Sequence, residues 1–232
     1  MPVIVFASPK GGAGKTTSSF LLASEMASRG LKTAIIDADP NHPILSWQNR
    51  GGSADNLTII SNDNEEDILD DIDDAKAKYD FVVVDLEGTA NLSVAYAISR
   101  ADLVIIPSQR STLDAGEAAK AVALVKRQSR VAGRTIPCAL LLTRTSAAIR
   151  TKGLKKMRQN IEEKAIDVFA TEMIEREAFK AIFDSSKTLH QMTVGQVSGL
   201  EKARYNTASF AIEVITKIKE NIKKNNAALE LL

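Results

Sequence analysis

Short apolar runs alternate along this chain with longer stretches in which apolar positions recur every three or four residues. VIVFA at 3–7, KTAIID at 32–37, DFVVVD at 80–85, DLVIIP at 102–107 and IPCALLLT at 136–143 read as strands buried on both faces. Between them the spacing is helical. Phe20, Leu21, Ala23 and Ala27 mark a helix that starts near Thr16 and stops at Arg29-Gly30. Residues 61–78 predict an acidic helix, with Ile68, Leu69, Ile72 and Ala75 on one stripe. The eight acids between 63 and 74 face water and lack the glycine turn of a calcium loop. Further helices are predicted around 91–100 and 113–132, the second rich in alanine. A last helix at about 200–224 sets Ala211, Val214, Ile215, Ile218 and Ile222 on one stripe. Lys217, Lys219, Lys223 and Lys224 fall on its other face. The segment 165–199 reads as a helix and loop, and partner contacts are expected partly there.

Strands that alternate with helices in this way predict an α/β fold: a mostly parallel twisted sheet with helices on both faces. No linker, repeat or low-complexity tract interrupts the pattern, so residues 1–232 are expected to form one domain, the last helix packing on the sheet. In such a sheet the loops after the strands gather along one edge. A site is therefore expected from residues 9–17, 37–40, 85–88 and 107–114.

Composition changes this picture little, but charge changes it more. No charged region precedes VIVFA as in a signal peptide, and no run approaches the roughly 18 apolar residues of a membrane span. Cys138 is the only cysteine, which excludes an intrachain disulfide and a cysteine cluster within one chain, and the cytoplasm is the expected compartment. The net charge of +1 hides an asymmetry. Residues 1–100 carry 8 Lys and Arg against 15 Asp and Glu, whereas 101–232 carry 22 against 14. Residues 118–161 hold eleven basic side chains and no acidic one. Such a sector is either a solvated helix surface or a face for an anionic partner such as DNA.

The sharpest chemical signal is SPKGGAGKTT at 8–17, directly after the first apolar run. Gly11, Gly12 and Gly14 let backbone N–H groups, that of Ala13 included, converge on phosphate oxygens without Cβ obstruction. Lys15 supplies charge to the β and γ phosphates, the Thr16 hydroxyl can ligand Mg²⁺, and Thr17 continues the helix N-terminus. Pro9 stands where the usual pattern has its first glycine, and the glycine run begins two residues later. Two further acids fit a nucleotide site. Asp85 closes VVVD as a Walker B carboxylate does, holding Mg²⁺ or its water. Asp37 and Asp39 end IIDADP, one to touch the metal shell and the other to orient water, with a structural cap as the plainer reading of Asp37.

Residues 10–17 resemble the deviant Walker A signature, K-G-G-x-G-K-T-T, of the ParA/MinD family of ATPases. DADP at 37–40 resembles that family's first switch, and VVVD at 82–85 its Walker B. VIIPSQRSTLD at 104–114 and LLTRTSAAIRTKGLKKMRQNI at 141–161 are similar to the small, ParF-like plasmid partition proteins. The resemblance implies the P-loop NTPase fold and a Mg²⁺-dependent ATP hydrolase with Lys10, Lys15 and Asp39 in catalysis. It implies ATP bound by residues 10–17, and Mg²⁺ near Thr16, Asp39 and Asp85. It also implies that Lys10 reaches across an ATP-bound homodimer to the partner's phosphates. Such a second cation would stabilise charge in the transition state and tie hydrolysis to dimerisation.

Asn41-His42-Pro43 and Leu86-Glu87-Gly88 depart from the family pattern after each acid, which leaves water activation open, with Glu87 one choice. His42 reads as a solvent-facing turn residue. ParA-type members bind nonspecific DNA when ATP-bound and are stimulated by a centromere-binding, ParB-type partner. MinD-type members instead use a C-terminal amphipathic helix on membrane. NNAALELL at the end has one acid and no base, which argues against membrane. Arg150, Lys152, Lys155, Lys156 and Arg158 instead cluster after the strand ending at Thr143, a face for DNA phosphates. The expectation is plasmid or DNA partition, nucleoid-associated in the ATP state. The alternatives are an ATPase that positions a conjugation or other complex, a MinD-like protein, and a metabolic P-loop synthetase. The nitrogenase iron protein shares the loop but needs two cysteines per subunit.

Overall fold

The computed structural model describes residues 1–8, 11–87, 92–109, 115–146 and 166–229, with the side chains of 115–118 and 226–229 outside that description. Seven strands form one sheet: β1 (Val3–Phe6), β2 (Thr33–Ala38), β3 (Leu57–Ser61), β4 (Phe81–Leu86), β5 (Leu103–Gln109), β6 (Cys138–Thr145) and β7 (Met173–Ile174). Their order is β3-β2-β4-β1-β5-β6-β7, and every pairing is parallel. The apolar runs are continuous because both faces are covered. Ile4, Phe6, Phe81 and Val83 point to one layer, and Val3, Val5, Val82 and Val84 to the other.

The first layer holds α1 (Lys15–Ser28), α2 (Pro43–Asn49), α6 (Glu177–Ser185) and α7 (Leu200–Leu229). The second holds α3 (Ile68–Lys78), α4 (Leu92–Arg100) and α5 (Ala115–Val131). Phe210 of α7 meets Phe6 and Phe169 edge-on, at centroid distances of 6.5 and 5.4 Å. The Trp47 indole of α2 donates to the Ile182 carbonyl of α6 and packs its ring 4.8 Å from Phe20 of α1. Glu25, buried in α1, binds Arg29 at 2.8 Å and His190 at 2.8 Å, fixing the loop after α6 to α1.

The expected sheet and layers are present, with local corrections. The helix predicted from 61 begins at Ile68, because Ser61 ends the edge strand β3. Asn62 donates to Asn64 O and Asp71, and Asn64 to Asp67, a local network that competes with helix between strand and helix. The last helix runs to Leu229 and packs on the sheet through Phe210, Ala211, Val214 and Ile218. Two of its expected faces are exchanged. Ile222 is 54% exposed, while Lys217 lies over the Phe169 ring and binds Asp167 at 2.8 Å.

Candidate functional site

Strand ends β1, β2 and β4 lie side by side, and the glycine loop follows β1 directly. Gly14 stands at the N-cap of α1 with φ 87°, a left-handed conformation that explains the glycine. Lys15 begins the helix and is buried, with Thr16 and Thr17 half-exposed behind it. Together with Gly11, Gly12, Gly14, Asp39, Asn41, Glu87 and Arg144 these residues line a cleft of about 510 Å³. Ala13 is buried beneath it. The cleft is therefore built from the loops after β1, β2 and β4, with Arg144 of β6 added; of the expected 107–114, residues 107–109 do not line it and 110–114 lie outside the described residues.

The two strand-end acids differ in role. Asp37 and Asp85 are register partners on adjacent strands, and both are fully buried on the α1 side of the sheet. Asp37 Oδ2 accepts the backbone N–H of Ile44 and of Leu45, at 2.8 and 2.9 Å. It caps α2 from the neighbouring strand and does not line the cleft. Burial raises its pKa above the usual 3.8, opposed by those two amides. Asp37 thus takes the plainer of its two expected roles, a structural cap, and does not touch the cleft. β2 ends at Ala38, and Asp39 lies beyond it, turned to the cleft, where its Oδ1 accepts the N–H of Asn41 at 2.9 Å.

Asp85 has no such cap. Neither carboxylate oxygen receives a well-formed protein hydrogen bond, although the Thr16 and Ser19 hydroxyls lie near enough to favour its charged form. Burial pushes its pKa up to about 7, the Asp37 charge adds to the rise, and Thr16 and Lys15 oppose it. A buried carboxylate short of donors, beside a threonine hydroxyl and a phosphate cradle, has the donor set of a Mg²⁺ site. Glu87 is half-exposed at the cleft wall. His42 is not a free turn residue. It takes φ 41°, its Nε2 lies 3.1 Å from Asp63, and its Nδ1 is buried.

A second cavity of about 530 Å³ adjoins the first and shares Gly14, Thr17 and Arg144 with it. Its other walls include Ile174 and Arg176 near β7 and Phe179 and Phe183 of α6. Arg144 takes φ 49°, and Arg176 presents a buried Nε with no hydrogen-bond partner. Sequence reasoning missed this half of the site, because β7 has two residues and the 165–199 segment that holds α6 points to partner contacts rather than to the cleft. Lys10 and the basic cluster Arg150, Lys152, Lys155, Lys156 and Arg158 lie outside the described residues, as do 110–114. Of the basic sector, Lys120, Lys126, Arg127, Arg130, Arg134 and Arg144 are described. Arg134 donates to the Ser99 and Ala101 carbonyls and Arg144 lines the cleft, while Lys126, Arg127 and Arg130 stand exposed on α5 and form no ion pair among the described residues. No helix among the described residues is long and apolar enough to cross a membrane.

The VirC1 protein family matches residues 1–228 of the chain. A protein ParA of Rhizobium radiobacter is 34% identical over 223 residues, covering 96% of this chain and all of that protein. A plasmid partition protein of Borrelia burgdorferi bound to AMPPNP superposes with a TM-score of 0.68 at 20% identity, covering 93% of this chain and 99% of that one. The septum site-determining protein MinD of Pyrococcus horikoshii, complexed with Mg-ADP, gives 0.67 at 16% identity, covering 92% and 95%. The fold is that of the P-loop NTPases of the ParA/MinD type.

Proposed function

The chain belongs to the VirC1 family, and from that premise we propose that it is a Mg²⁺-dependent ATPase of the ParA type that positions or partitions a DNA cargo. The observation that carries this reading is Asp85: a fully buried carboxylate without adequate donors, placed beside Thr16 under a glycine-rich helix start. In this reading residues 10–17 hold the phosphates of ATP, and Lys15 neutralises them. Thr16 and Asp85, with Asp39 at the cleft wall, hold Mg²⁺, which would supply positive charge at the phosphate oxygens. The second cavity, which opens from the same glycine, takes the nucleoside. Asp39, fixed through Asn41, and Lys10 from the partner of an ATP-bound dimer act at the γ-phosphate.

The ATP-bound dimer is proposed to bind nonspecific DNA through the basic sector 118–161. Its described part on α5 presents Lys126, Arg127 and Arg130 together, and Arg150, Lys152, Lys155, Lys156 and Arg158 continue it in sequence. A dimer doubles that charge, and affinity should fall steeply with salt. A ParB-type centromere-binding partner would stimulate hydrolysis, and the ATP state would sit on the nucleoid. The cargo is either a partitioned plasmid or a conjugation or other complex positioned by the same cycle.

The test is binding to nonspecific duplex DNA without nucleotide, with ADP and with ATP, at two salt concentrations, with sedimentation of the same samples. The expected result is salt-sensitive binding by a dimer in ATP alone. ATP hydrolysis with no DNA binding in any state would overturn the DNA reading and direct the assay to liposomes and small substrates.

A further inference from the structure

Two carbonyls of the glycine loop are fastened by side chains that reach it from other strands. Gln109 Nε2, at the end of β5, donates to the Gly12 carbonyl. Thr143 Oγ1, near the end of β6, donates to the Ala13 carbonyl at 2.7 Å. Thr143 is buried and lines the second cavity, and neither residue lines the cleft made by the glycine loop with Asp39, Asn41 and Glu87. The loop needs such fastening. Gly12 and Gly14 have φ of 73° and 87°, and peptide units between glycines can rotate at little steric cost.

A trans peptide unit sets its N–H antiparallel to its C=O, and the described residues contain no cis peptide bond. The Gly12 carbonyl shares its unit with the Ala13 amide, and the Ala13 carbonyl shares its unit with the Gly14 amide. When both carbonyls are drawn towards β5 and β6, both amides are turned the opposite way. We propose that Gln109 and Thr143 are positioning residues that lock these two peptide units, so that the Ala13 and Gly14 amides face bound phosphate. The inference rests on the nucleotide reading above and adds to it what aims the donors. Lys15 brings charge, but two amides fixed beforehand bring orientation, which costs nothing further when the ligand arrives. Because Gln109 is also the last residue of β5, the same bond ties the cradle to that strand end.

The experiment is calorimetric titration of the full chain with Mg-AMPPNP, together with steady-state ATP hydrolysis and melting of the nucleotide-free protein. Thr143→Val keeps the shape and removes the donor, Thr143→Ser keeps the donor, and Gln109→Leu and Gln109→Glu remove the other donor. Thr143→Val and Gln109→Leu should each weaken AMPPNP binding about tenfold. Gln109→Glu, which sets a carboxylate against a carbonyl, should weaken it more. Thr143→Ser should bind within about threefold of wild type, and in Thr143→Val and Gln109→Leu KM should rise more than kcat falls. The nucleotide-free melting temperatures of Gln109→Leu and wild type should agree, so that lost affinity is not lost fold. Wild-type binding with equal binding by Thr143→Val and Gln109→Leu would overturn the inference alone. No binding by the wild type would overturn the nucleotide reading and the inference with it.

Discussion

Replacing Asp85 with Asn should make the nucleotide-free protein more stable at pH 8 while abolishing its Mg-ATP response. Burial moves the Asp85 pKa from 3.8 to about 7. Above the unfolded value the unfolded chain has lost this proton while the folded chain keeps it. Stability therefore falls as pH rises from about 4 to about 7 and is level beyond. At 1.36 kcal/mol per unit, the ionised carboxylate costs the fold at most about 4 kcal/mol at pH 8 and almost nothing at pH 4. For a chain of this length that corresponds to roughly 8–16 °C in melting temperature. The assay is thermal melting in EDTA at pH 5, 6, 7 and 8, followed through Trp47, the single and fully buried tryptophan. The stability of Asp85→Asn relative to wild type should grow with pH across that range. Adding Mg-ATP at pH 8 should raise the wild-type melting temperature and leave the variant unmoved. A difference that stays flat from pH 5 to 8 would refute the claim that this carboxylate is strained without a cation.

Two more outcomes follow from the same geometry. Gly14→Ala puts a Cβ 3.3 Å from Thr143 at a φ of 87°, which should cost about 1–2 kcal/mol of stability and at least tenfold in nucleotide affinity. Denaturant titration and calorimetry check it, and unchanged affinity would count against a cradle at this glycine. Burial alone would push the Glu25 pKa up, but His190 and Arg29 outweigh it and hold the carboxylate below its usual 4.5. Its stabilisation is thus present above pH 4.5 and lost as pH falls through the depressed value. Glu25→Ala should destabilise by about 1–2 kcal/mol at pH 7, since the partners it leaves, Arg29 and His190, are solvent-exposed, and the gap to wild type should narrow below pH 4.5 in denaturant melts.

The elements legible in the sequence were those whose pattern repeats over many residues. β1, β2, β4, β5 and β6 are buried on both faces, so each shows as an unbroken apolar run. β3 lies at the sheet edge with only partial burial, and its LTIIS merges into the polar stretch after it. The seven residues of α2 were illegible for a different reason. Its start is satisfied by Asp37, inside the preceding strand β2 and six residues before Pro43, so no capping residue stands directly in front of it. The phosphate loop was legible because its chemistry is contiguous, whereas its fastening was not. Gln109 and Thr143 reach Gly12 and Ala13 across 97 and 130 residues. The exchange of Lys217 and Ile222 has a related cause. α7 outruns the sheet it packs on, so its apolar stripe continues past the last buried residue, Ile218.

The paired acids at the ends of β2 and β4 carry the remaining argument. Asp37 and Asp85 are register neighbours, equally buried and on one face, yet only one is held by backbone donors. Two adjacent buried carboxylates cannot both ionise without compensation. The start of α2 compensates Asp37, and its charge then helps to raise Asp85. The cap on α2 thereby sharpens the demand of Asp85 for a cation. Asp37→Asn keeps an acceptor for Ile44 and Leu45 and removes the charge. The pH-dependent destabilisation removed by Asp85→Asn should therefore be smaller when Asp37 is already Asn, and the double variant should gain less than the two single gains combined. Melting of the four proteins at pH 5 and 8 in EDTA measures that coupling. Strict additivity would mean that the two carboxylates do not sense each other, and that burial alone sets Asp85.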